Sequence, residues 1–138
     1  MIVYVDSSAV IKRVVAEPES ETLDLALAGH VADQDVLVSS SLAWVEVERA
    51  LRAIVDTDPR VDVGASARVA MSGIAERVIG ADVVSLARRI EPPVLRTLDA
   101  IHVATAVLLD ADLVMTYDDR LAAAAIRNSL DVAAPVQT

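Results

Sequence analysis

The stretch Ile2-Val3-Tyr4-Val5-Asp6-Ser7-Ser8-Ala9 decides the fold. Its first four residues are β-branched or aromatic with no polar break, which reads as a buried strand. Asp6-Ser7-Ser8 then gives a helix-start signal, because a short side chain carrying an oxygen can accept from the free N–H groups of a first turn. The helix is expected to run on through Val15. An acid thus stands where an apolar strand meets a helix. Open α/β sheets bind ligands outside the carboxyl ends of their strands, so a carboxylate here is placed for chemistry. An ordinary N-cap occupies the same position, and the residues alone leave both readings open.

The alternation continues outward from this unit. Pro18-Glu19-Ser20-Glu21 opens a second helix through Ala28, with Gly29 as its stop. Val36-Leu37-Val38 is a second strand. Ser39, Ser40 and Ser41 offer a cap for a long helix from Leu42 to about Val55. After a loop at Asp56-Thr57-Asp58-Pro59, a weaker helix spans Asp62 to Ala75, with Gly64 and Gly73 inside it. Arg77-Val78-Ile79 is a third strand, and Asp82 to Ile90 a short helix that Glu91-Pro92-Pro93 breaks. Asp99 to Asp110 is a strongly apolar helix. Leu113-Val114-Met115-Thr116 is a fourth strand, Asp119 to Asn128 a helix, and Val132-Ala133 a last short strand. Strands and helices in alternation over short connections imply an α/β domain, a mainly parallel sheet sandwiched between helices. The length of 138 residues suits one domain over residues 1–138, and no repeat or linker divides it.

Composition removes several function classes. There is no cysteine, which excludes disulfide scaffolds, thiolate zinc sites and cysteine nucleophiles. With no Phe, one Trp and two Tyr, a nucleic-acid surface built on stacked rings is not expected. Twelve basic residues face 21 acidic ones, a net charge of −9, so bulk charge cannot hold a polyanion. An enzyme that reaches a phosphodiester through metal ions remains open. The N-terminus has no basic n-region, and Asp6 interrupts its apolar run, unlike a signal peptide. No apolar run approaches the ~18 residues of a membrane span. A cytoplasmic protein without membrane association is expected.

Four acids stand out by position. Asp6 follows the first strand, and Asp118 follows the fourth in Val114-Met115-Thr116-Tyr117-Asp118. Both can also be turn or cap residues. Glu46 lies inside the Leu42–Val55 helix on the face of Leu42, Ala43, Ala50 and Ala53, where a carboxylate needs a partner or a cation. Glu48 faces away and is spaced to pair with Arg52. Asp99 opens the apolar helix, where the helix dipole alone favours an acid. His102, at i+3 from Asp99, reads as a hydrogen-bonded packing residue, and His30 carries no assignment. Three or four carboxylates with no cysteine and little histidine suggest a site for a hard cation, Mg2+ or Mn2+. Such a site can act on a phosphodiester.

Five blocks carry a family resemblance over nearly the whole chain. They are Val5-Asp6-Ser7-Ser8-Ala9, Glu17-Pro18-Glu19-Ser20, Ser41-Leu42-Ala43-Trp44-Val45-Glu46-Val47, Leu98-Asp99-Ala100-Ile101-His102-Val103-Ala104-Thr105-Ala106 and Thr116-Tyr117-Asp118-Asp119-Arg120-Leu121. In this order the sequence resembles the PIN-domain ribonucleases, specifically the VapC toxins of bacterial toxin–antitoxin pairs. The resemblance implies a central five-stranded parallel sheet flanked by helices in three layers. It implies that Asp6, Glu46, Asp99 and Asp118 form the family's acidic quartet around Mg2+ or Mn2+. Ser8 and Thr116 match hydroxyl positions that arrange the pocket, and Asp119 either assists or serves as a helix cap. The family usually reads Asp-Thr-Ser at the first block; here Ser7 keeps the hydroxyl.

The implied function is a metal-dependent endoribonuclease toxin, with tRNA, rRNA and mRNA all open as targets. The implied partners are RNA, a VapB-type antitoxin and a second toxin copy, giving a homodimer and a heterotetramer or larger assembly with antitoxin. The alternative is a PIN-like interaction module without activity. Arg13, Arg49 and Arg96 lie near the motif blocks, either as phosphate contacts or as surface ion-pair partners. A phosphoryl-accepting receiver domain needs a strand-end Lys, and Lys12, the only Lys, lies in the first helix. A phosphatase of the Asp-x-Asp type is excluded by Asp6-Ser7-Ser8.

Overall fold

The computed structural model describes residues 1–136. Five strands form one sheet: β1 (Ile2–Val5), β2 (Val36–Ser40), β3 (Ala75–Arg77), β4 (Leu113–Met115) and β5 (Val132–Ala133). Their order is β3-β2-β1-β4-β5, and every adjacent pair is parallel. Seven α-helices connect them: α1 (Ser7–Val10), α2 (Ser20–Ala32), α3 (Ser41–Val55), α4 (Val63–Met71), α5 (Ala81–Ala87), α6 (Thr97–Leu108) and α7 (Asp119–Arg127). The three-layer α/β/α arrangement with a five-stranded parallel sheet is the one the motif blocks implied.

Strand β1 is central and pairs with β2 on one side and β4 on the other. The chain adds β2 and β3 outward on one side, then crosses back to place β4 on the other. The two halves of the sheet therefore diverge between β1 and β4, where a crevice opens beyond the strand ends.

The pleat assigns side chains to layers. Val3, Val5, Leu37 and Met115 pack with Leu23, Leu27, Val47, Leu51 and Ala67 from α2, α3 and α4. Tyr4, Val38 and Val114 face the other way, onto Val83, Val103, Ala104, Leu121 and Ala124 from α5, α6 and α7. Helix α6 is apolar around most of its surface and buries Ala100 and every residue from His102 to Ala106. Small Ala side chains let α6 lie close to the sheet.

Several boundaries differ from the sequence reading. Helix α1 is a single turn, followed by a 3-10 turn at Ile11–Arg13, instead of a helix through Val15. Val10, Ile11, Val14 and Val15 are β-branched and lose rotamer freedom in a helix. Arg13 also donates to the carbonyls of Ala70 and Ser72, tying this turn to the end of α4. Gly29 does not stop α2, which runs on to Ala32 and carries His30 within it. The chain reverses only at Gln34, with φ 64°. In contrast, α4 ends at Met71, four residues before Ala75, and Gly73 takes φ 75° to turn the chain toward β3. A side chain there would be strained in that left-handed region. Strand β3 consequently starts at Ala75, two residues ahead of the expected Arg77.

Leu51 fixes α3 to the sheet with 1% of its surface exposed. Leu51→Ala is expected to lower stability by about 2–5 kcal/mol, measured by urea denaturation. A Ser at exposed Ala50 should cost far less, since Ala50 buries little against the sheet.

Candidate active site

Each of the four acids lies at the carboxyl-end edge of the sheet or on a helix that overhangs it. Asp6 continues β1 and donates its backbone N–H to the Met115 carbonyl at 3.0 Å. The residue is only 3% exposed. Oδ2 accepts from Ser8 Oγ at 2.7 Å, Thr116 Oγ1 at 2.9 Å and the Ser8 N–H at 3.2 Å. Asp6 is therefore the N-cap of α1. Oδ1 remains on the crevice side, 3.6 Å from His102 Nε2. Cap and functional carboxylate are compatible because they use different oxygens.

Asp118 repeats the arrangement. Its Oδ1 caps α7, accepting from the N–H groups of Arg120 at 2.9 Å and Leu121 at 3.3 Å. Ser8 and Thr116 brace the two acids against each other. Their hydroxyls lie 3.2 Å apart, Ser8 Oγ accepts from the Tyr117 N–H, and Thr116 Oγ1 accepts from the Asp118 N–H. Asp119 is exposed in the first turn of α7 and does not reach the crevice, because Asp118 takes the cap position.

Glu46 and Glu48 are separated by burial. Glu46 is half-buried at the crevice, and Glu48 is exposed with no ion pair to Arg52 among the described residues. The buried stripe of α3 is Ala43, Val47 and Leu51. The face that Glu46 shares with Ala50 thus looks into the crevice, and Ala53 is exposed; neither alanine belongs to the core. Asp99 lies in the first turn of α6, which starts at Thr97, two residues before the expected opening. Asp6, Ser8, Glu46, Asp99 and Asp118 all border one cavity of about 190 Å³.

His102 is the residue whose part the sequence reading missed. It is 1% exposed and hydrogen-bonded, as expected, but it belongs to the site. Nε2 donates to Glu46 Oε1 at 2.5 Å, and Nδ1 lies 2.5 Å from the Tyr4 hydroxyl. Glu46 comes from the α1–α4 layer and Tyr4 faces the α5–α7 layer, so one imidazole ties the two layers together above the sheet. A signal was present: a histidine inside a wholly apolar helix must find polar partners, and the i+3 step from Asp99 puts both on one stripe.

The electrostatics follow from this crowding. Burial, then Asp118 and Asp6, raise the Asp99 pKa above the usual carboxylate range, while His102 and Arg96 oppose the rise. Burial by itself would lower the His102 pKa, but the bond to Glu46 and the charges of Asp6, Glu46 and Asp99 carry it upward. Burial and the Asp6 charge push the Tyr4 phenol up. Asp6, Glu46 and His102 offer donor atoms within 4.8 Å of one another. His102 Nε2 is already committed to Glu46, which leaves an oxygen-dominated donor set. That chemistry fits a hard divalent cation better than zinc. Lys12 pairs with Glu17 and Glu19 and lies over the Tyr117 ring, which disposes of the receiver-domain arrangement.

The sequence profile of the PIN domain matches residues 3–127. Ribonuclease VapC46 of Mycobacterium tuberculosis is 41% identical over 135 residues, covering 96% of this chain and 97% of that protein. The chain belongs to the PIN-domain VapC family. Solved structures of the family share its fold at low identity. VapBC2 from Rickettsia felis, solved bound to a DNA fragment from its promoter, aligns with a TM-score of 0.75 at 11% identity, over 96% of this chain and 98% of that one. VapC20 of Mycobacterium tuberculosis, a toxin that cleaves the sarcin–ricin loop, aligns with a TM-score of 0.69 at 16% identity, over 88% and 94%. Among the described residues of this VapC-family chain, no helix is long and apolar enough to cross a membrane.

Two outcomes are expected in metal-free protein. Asp99→Asn should raise the melting temperature at pH 7.5 by about 2–4 °C, since relief at a half-exposed carboxylate is worth about 1 kcal/mol or less. The sign follows from the raised pKa: the folded state disfavours the charged form, so the penalty is present at neutral pH and fades as pH falls through the carboxylate range. The gap between variant and wild type should close over that range in thermal melts with EDTA. His102→Leu should destabilise by about 1–3 kcal/mol, because the buried Tyr4 hydroxyl loses its partner; urea titration reads this directly.

Proposed function

We propose that the protein is a metal-dependent endoribonuclease that acts as the toxin of a toxin–antitoxin pair. The observation that carries this reading is the convergence of Asp6, Glu46, Asp99 and Asp118 on one small crevice at the β1–β4 divergence. Kinship with a ribonuclease VapC at 41% identity supports the RNA substrate class. The four carboxylates would hold Mg2+ or Mn2+. Bound there, the cation supplies Lewis-acid polarisation of a phosphoryl oxygen and lowers the pKa of attacking water.

The chain's own groups divide the remaining work. Ser8 and Thr116 fix one Asp6 oxygen, so the carboxylate cannot rotate away from the crevice. His102 holds Glu46 by one oxygen. Two backbone N–H groups hold Asp118 by Oδ1. Asp99 borders the crevice and accepts no hydrogen bond from the chain among the described residues, so its oxygens are uncommitted. It is the group placed to accept the proton of attacking water at a carboxylate oxygen. Hydrolysis forms one bond from water oxygen to phosphorus and breaks one phosphorus–oxygen ester bond. The departing oxygen takes up a proton.

The partners follow the family. A VapB-type antitoxin would cover the crevice, a basic side chain matching its carboxylates. The working assembly would be a homodimer of this chain, joined by antitoxin into a heterotetramer or larger complex in the cytoplasm. Solved structures that share the fold include VapBC2 of Rickettsia felis and VapBC-1 of nontypeable Haemophilus influenzae, which supports such a partner.

Purified, antitoxin-free protein on total bacterial RNA tests the reading. Discrete fragments are expected with Mg2+ or Mn2+ and none with EDTA. Asp6→Asn and Asp99→Asn should each lower the rate by at least about 100-fold. Equal cleavage by both variants, or cleavage that survives EDTA, would sink the proposal. Silence from the wild type together with no calorimetric signal for Mn2+ favours the interaction module.

A further inference from the structure

Beside the acidic crevice lies a second, larger concavity of about 430 Å³ with the opposite charge. Arg96, Arg120 and Arg127 line it, over an apolar floor that includes Leu95 and Ala123. Val94 stands at its edge, 91% exposed. Arg96 and Arg120 form no ion pair among the described residues, and Arg127 reaches Glu91 only at 4.0 Å in an exposed contact. Exposed pairs of that kind hold a side chain weakly.

The groove is joined to the crevice through the backbone. Arg96 is the residue from which α6 starts, and Asp99 lies in the first turn of that helix. The first N–H groups of this 12-residue helix receive no side-chain cap, so they add positive potential beside the guanidinium. Arg120 donates its N–H to Asp118 Oδ1, and its side chain lines the groove. Arg96 and Arg120 of the groove are thus three and two residues along the chain from Asp99 and Asp118 of the crevice.

We propose that this groove seats the single-stranded RNA segment adjoining the scissile phosphodiester. The guanidiniums take backbone phosphates, and the apolar floor takes a base face. The assignment rests on the ribonuclease reading and adds to it where the substrate strand runs. It also explains how a protein of net charge −9 holds a polyanion: the attraction is local, confined to one groove within a Debye length of about 8–10 Å. An acidic peptide would meet the same charges but lacks bases for the floor; it is the rival occupant.

The test uses the full chain. A fluorescent 12-nucleotide single-stranded RNA is titrated with protein in EDTA, so that no cleavage occurs, at salt from 50 to 200 mM. The triple variant Arg96→Ala/Arg120→Ala/Arg127→Ala is compared with an equal-charge control, Arg60→Ala/Arg68→Ala/Arg89→Ala. The groove variant should bind at least about tenfold more weakly. Its slope of log affinity against log salt should fall by about 2, from ~0.7 per lost phosphate contact. The control should lose less than half as much. With Mg2+ the groove variant should show a raised KM, an unchanged kcat and an unchanged melting temperature. Lys at the three positions should restore most of the salt slope.

Groove and control variants that lose affinity alike would overturn the groove assignment while leaving the nuclease reading in place. Tighter binding of an acidic 12-residue peptide than of RNA, lost in the groove variant, would overturn it in favour of a protein partner. If the wild type binds RNA through the three arginines but does not cleave, the groove stands as an RNA-binding surface, while the nuclease reading and the place beside a scissile bond fall together.

Discussion

The architecture depends on one strand. β1 is hydrogen-bonded on both sides, so its four residues set the register of both halves of the sheet. Its pleat sends Val3 and Val5 into one helical layer and Tyr4 into the other. Its last residue is followed directly by Asp6, whose side chain is then fixed between β1 and β4 by Ser8 and Thr116. A one-residue slip would exchange the layers and turn Asp6 away from the crevice. The site is thus an extension of the sheet's pairing.

The hydrogen-bonded series Tyr4–His102–Glu46 performs the complementary task across the layers. Two helices packed on opposite faces of a sheet have no direct contact through it. Here they meet over the strand ends through one buried imidazole. This sets how far α3 and α6 can separate, and with it the distance between Glu46 and Asp99. Buried polar groups are costly unless satisfied, and His102 uses both ring nitrogens. The residue therefore specifies geometry as well as filling space.

Charge is distributed with the same economy. Asp6, Glu46 and Asp118 are held by neutral hydroxyls, backbone N–H groups and one histidine, and Arg96, Arg120 and Arg127 line a separate groove. A guanidinium inside the crevice would pair with the carboxylates and relieve their mutual repulsion. Arg13, the basic residue nearest the first motif, is instead spent on two backbone carbonyls, and Arg49 is exposed on α3 away from any ion pair among the described residues.

Much was legible in the sequence because it rests on local physics. Apolar runs ending in Asp6 and Thr116-Tyr117-Asp118 marked strand ends, and the strand–helix alternation implied a parallel sheet. The motif blocks pointed to the four acids and to Ser8 and Thr116. Periodicity set Glu46 apart from Glu48 but grouped Ala50 and Ala53 with the apolar face of α3, because alanine sits on both its buried and exposed sides; both lie outside the core. Nor could it tell that Gly29 stays helical while Gly73 turns the chain. That difference comes from Leu23 and Leu27 holding α2 to the core, against a break that β3 must accommodate. The sequence by itself determined the strands, the order of the elements and the acids at their ends, since those follow from hydrophobic pattern and capping chemistry. Only the tertiary structure decided that His102 joins Glu46 to Tyr4 and that three arginines share one groove, since those pairings span up to 98 residues and depend on how two helical layers close over the sheet.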